Sequence, residues 1–239
     1  MKRSLFFVLL VPVLAFCGCE TLKNAGGLLG GILPGDGSLS VDTIVAGLKE
    51  ALKVGTDRTV TQLSRDGGYA GNARIRIPVP AELEKVTGVM RRVGFGSMVD
   101  SFEQKMNLAA EQAAGKAAPV FWDALVSMSF DDAKNILQGG DTAATDYFKG
   151  KTQDRLRELY APIVAEHLNS VGAVRAYNEL MDRYAAIPLA KKPEFRVENY
   201  TTQKALDGLF TVLADEEARI RKDPAARTTA LLQRVFGAK

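Results

Sequence analysis

Thr201-Thr202-Gln203-Lys204-Ala205-Leu206-Asp207-Gly208-Leu209-Phe210-Thr211-Val212-Leu213-Ala214-Asp215-Glu216-Glu217-Ala218-Arg219-Ile220-Arg221-Lys222 decides the fold class. Ala205, Leu206, Leu209, Phe210, Leu213 and Ile220 recur at the spacing that places apolar side chains on one face of an α-helix. Asp223-Pro224 ends the run, because proline cannot continue a helix beyond its first turn.

The same period holds nearly throughout from Ser40 onward. Ser40 is placed to cap a helix carrying Ile44, Leu48, Leu52 and Leu63, which ends near Asp66-Gly67-Gly68. A second helix follows Pro80 with Leu83, Val86, Met90 and Val93 on one face, and a third spans 97–117 with alanines that permit close helix approach. Pro119 opens a short helix with Phe121, Trp122 and Leu125. Ser129-Phe130-Asp131-Asp132 supplies a cap and early negative charge for the next. Beyond Gly139-Gly140 the spacing predicts a short helix with Tyr147 and Phe148. A separate long helix follows over 152–170, with Leu156, Leu159, Tyr160, Ile163 and His167 on one face, and then one over 173–186. A last helix is expected over 225–236. Only 74–80 and 195–197 read as extended. Pairing between them would give a minor two-stranded ribbon, with Pro78 confining any strand to an edge. The fold class is therefore all-α, a single multi-helix domain over 39–239.

The first residues carry a different signal. Met1-Lys2-Arg3 is basic, Ser4 to Phe16 is almost wholly apolar, and the run stops at Cys17-Gly18-Cys19, short of the roughly 20 residues a spanning helix needs. This is the pattern of a signal peptide over 1–18, and its end resembles the lipobox of bacterial lipoproteins, which implies lipid attachment at Cys19. Gly18 before Cys19 fits that motif, Phe16 before Cys17 does not, and Glu20 in place of Asp leans towards the outer membrane. The glycine-rich segment 20–38 then reads as a tether spanning about 25 Å as a flexible coil. The expected location is the cell envelope, on the periplasmic face of the outer membrane.

Both cysteines lie at this leader, so no disulfide or thiolate metal site is expected within the mature chain. Removing Lys2 and Arg3 leaves 29 basic and 28 acidic residues, a balance that gives no reason to expect a nucleic-acid partner.

Four segments together carry a family resemblance. They are Asn72-Ala73-Arg74-Ile75-Arg76-Ile77-Pro78-Val79-Pro80, Asp141-Thr142-Ala143-Ala144-Thr145-Asp146-Tyr147-Phe148, Thr202-Gln203-Lys204-Ala205-Leu206-Asp207-Gly208-Leu209-Phe210 and Ala226-Arg227-Thr228-Thr229-Ala230-Leu231-Leu232. With these the chain resembles the bacterial family called domain of unknown function 4197 over about 40–237. The resemblance implies a helical, often exported or lipidated protein, and brings no established activity.

Side chains with chemistry are few. His167 is the lone histidine, which removes any multi-histidine metal site, and it reads as a core or boundary residue rather than a catalytic base. Asp131-Asp132, Asp141 with Asp146, and Asp215-Glu216-Glu217 offer carboxylates. Neighbours on a helix point about 100° apart, so the doublets read as first-turn charge or, for Glu216-Glu217, as a solvated face. The glycine clusters 67–71 and 94–96 lack a phosphate-binding pattern. Trp122, Tyr147, Tyr160, Tyr177 and Tyr184 read as core and boundary packing in preference to a cavity lining.

Arg74 and Arg76 are the candidate recognition residues. Alternate positions on an extended segment aim both guanidinium groups to one side, where they could hold a carboxylate or phosphate; the competing account has them bridging helix carboxylates while Ile75 and Ile77 enter the core. The sequence therefore suggests a non-catalytic envelope lipoprotein without cofactor or metal, membrane-bound through its lipid and binding an envelope protein or an amphipathic ligand. A carboxylate-dependent envelope hydrolase is the alternative.

Overall fold

The computed structural model describes residues 40–237. Among them the elements are α1 (Val41–Leu63), α2 (Glu84–Arg92), α3 (Gly96–Ala114), α4 (Ala118–Val126), α5 (Phe130–Gln138), α6 (Ala143–Ser170), α7 (Ala173–Ala185), α8 (Val197–Lys222) and α9 (Ala230–Gly237), with 3-10 turns at Ala81–Leu83 and Pro224–Ala226. The described residues form one compact helical unit without strands. None of their helices is long and apolar enough to cross a membrane.

Helix α8, the stripe that decided the fold class, lies at the centre. It packs most extensively on α6 and α1, while α3 packs on α6, α7 and α8, and α9 closes over α1. Each contact follows from sequence. Leu206, Leu209 and Leu213 of α8 are fully buried, and Phe121 of α4 meets Phe148 of α6 and Phe210 of α8 edge-on at 5.8 and 5.9 Å. Ala109, Ala110, Ala113 and Ala114 leave no exposed surface, so α3 presents a small-residue face against which other helices pack. Ser40 caps α1 by accepting from the Thr43 amide at 3.2 Å. Gly172, at φ 72°, makes the left-handed turn between α6 and α7.

Three expectations about elements need correction. The ribbon does not form: the amides of Ile75 and Arg76 both donate to the Asn72 carbonyl, which coils 72–76 into a turn, and 195–197 leads into α8. The two helices expected between Gly140 and Val171 are one, α6. The turn around Gly150 is held by the buried Phe148, Thr152 and Leu156, and the Thr152 hydroxyl donates back to the Phe148 carbonyl at 2.6 Å. The last helix is divided instead, because Arg227 donates to the carbonyls of Ile220 and Arg221 at 3.1 and 2.8 Å, closing the end of α8 before α9 begins. Thr229 then accepts from the Leu232 amide at the start of α9.

Candidate functional site

Residues 64–80 cross the body between α1 and α2 with little regular structure, and side chains of α3 and α8 hold them in place. Glu111 of α3, buried, accepts from the backbone amides of Gly67, Tyr69 and Ala70 at 3.2, 3.0 and 3.0 Å. Asn107, one turn earlier, accepts from the Ile77 amide and donates to the Ile77 carbonyl at 2.9 and 2.8 Å, doing for one residue what a neighbouring strand would do. The Tyr69 hydroxyl donates to the Ala205 carbonyl at 2.7 Å. A Cβ placed on Gly208 would lie 2.7 Å from the Tyr69 ring, so α8 carries glycine where that ring crosses it.

Arg74 and Arg76 sit on this segment, and the turn at 72–76 separates their directions. Arg74 pairs with Asp215 of α8 at 2.6 Å, whereas Arg76 pairs with Glu103 of α3 at 2.5 Å. Ile75 and Ile77 are buried beneath them, as the bridging account expects. Both guanidinium groups remain about half exposed, but they address different helices rather than one common anion.

The other carboxylate doublets also diverge. Glu217 is buried, contrary to the solvated face expected for it. It accepts from the amides of Ala144 and Thr145 at 2.9 and 2.8 Å and from the Thr145 hydroxyl at 2.9 Å, and pairs with Arg221, whose side chain is 8% exposed. Thr142 makes no side-chain cap on α6, so a side chain of α8 caps that helix instead. Glu216, also buried, points the other way to Arg219 and to Arg58 of α1. Helix α8 is covered on several sides, so residues outside its apolar stripe are buried as well; no single-helix pattern reveals that.

Asp132 forms the expected capping box with Ser129, and the Ser129 hydroxyl and amide hold its carboxyl below the usual range. Tyr147 donates to Asp132 at 3.1 Å; partial burial together with that bond pushes the phenol up to about 12. Asp141 pairs with Lys222 and Asp146 with the Thr142 hydroxyl. His167 is half-buried on α6. No group of three or more His, Cys, Asp or Glu side chains placed to hold a metal ion occurs among the described residues.

Tyr69 and Tyr160 are buried, and desolvation raises both phenols well above 10. A pKa raised in the folded state gives stability that is complete below the unfolded value of about 10 and is lost as pH rises towards the folded one. Tyrosinate absorbance from these two residues is therefore expected to emerge together with loss of the helical circular dichroism signal above pH 10. All six tyrosines ionising near 10 with the helices intact would contradict this burial.

The surface feature not foreseen lies on α4 and α5. Trp122, read as packing, is 49% exposed, and Val126 and Phe130 are 62% and 43% exposed. Helix α4 is short and directs Val120, Phe121 and Leu125 inward, which leaves Trp122 and Val126, one turn apart, on its outer face. A groove of about 600 Å³ between α1 and α4 is lined by Lys53, Thr56, Pro119, Phe121, Trp122 and Leu125, among others. The other large exposed apolar residues among those described are Val93, just after α2, Leu159 on α6 and Leu189 in the turn after α7, and they stand apart in sequence.

A helical body with a side-chain-clamped crossing segment and an exposed aromatic edge defines a class by architecture rather than by reaction. The chain belongs to the DUF4197 family, described as a protein of unknown function, whose model matches residues 38–237. Searches among curated proteins and solved structures found no significant match.

Proposed function

We propose that this protein is a non-catalytic, lipid-anchored component of the bacterial envelope, and that its helical body acts by binding a protein partner or an amphipathic ligand. The exposed Trp122, which lines the α1–α4 groove, together with exposed Val126 one turn further along α4 and exposed Phe130 at the start of α5, carries this reading. Aromatic side chains left at the surface beside a concave apolar groove are the usual features of a binding face. The hydrolase alternative needs carboxylates converging on one substrate. Glu111 and Glu217 are instead engaged by backbone amides, and the doublets point apart, which favours the binding reading.

The test is co-purification of the full chain from native membranes, with proteomic and lipidomic readout, against the double variant Val126→Asp/Phe130→Asp. A protein or lipid species enriched with the wild type and at least about tenfold depleted with the variant is expected, the loss of roughly 1.4 kcal/mol of binding. Identical recovery from both would contradict the assignment of this face.

A further inference from the structure

We draw no further inference here: the strongest candidate, the polar cleft between α3 and the start of α7 lined by Ser97, Ser101, Lys105 and Arg175, carries none, because Lys105 donates to the Val171 carbonyl, Arg175 pairs with Glu179 of the same cleft, and beyond an uncapped helix N-terminus nothing there points to a ligand.

Discussion

Replacing Glu217 with Ala is expected to lower stability by about 3–5 kcal/mol, a large part of what a domain of this size possesses. The substitution strands the Arg221 guanidinium, which is as buried as its partner, and removes the acceptor for the amides of Ala144 and Thr145 at the start of α6. Arg221→Met is expected to cost less, about 2 kcal/mol, because Glu217 would keep three other donors and the Ile136 carbonyl would keep the Gly139 amide. Denaturation midpoints of the two variants decide between a cap and a simple ion pair. Equal losses would mean that the pair alone matters and that Glu217 does not hold the end of α6.

The second large effect is expected at Glu111. With Ala there, the Tyr69 amide is buried without a partner, and those of Gly67 and Ala70 have only water. The cost is about 3 kcal/mol, since one unmet buried donor alone is worth roughly 1–3. The loss is also local. Amide exchange over 66–77 should accelerate by about a hundredfold, the factor to which about 2.8 kcal/mol corresponds, while the α6 and α8 amides stay protected. Glu111→Gln keeps one acceptor oxygen and should fall between. Uniform acceleration along the whole chain would show that the crossing segment is not separately clamped.

These two residues also show where sequence reasoning stops. Helix positions were legible where one face is buried and the other is wet, as with Leu206, Leu209 and Leu213, and where a cap is local, as with Ser40 and the Ser129–Asp132 box. Glu111 and Glu217 satisfy backbone groups more than 40 positions away in the chain, and no local period encodes that. The common direction expected of Arg74 and Arg76 does not hold, because alternation requires extended backbone and the Asn72 carbonyl coils the segment. Trp122 was assigned to packing because a periodic stripe cannot tell which face of a nine-residue helix lacks a neighbour. The leader, Cys19 and the segment before Ser40 lie outside the described residues, so there the reading stays with the sequence.

The most direct test of the account is intact and tryptic mass spectrometry of the mature N-terminus, purified from membranes of a lipoprotein-processing bacterium. A chain that begins at Cys19 and carries diacylglycerol is expected, lost in Cys19→Ser and retained in Cys17→Ser. An uncleaved leader, an unmodified terminus at another residue, or acylation at Cys17 would contradict the lipid-anchored envelope protein proposed above.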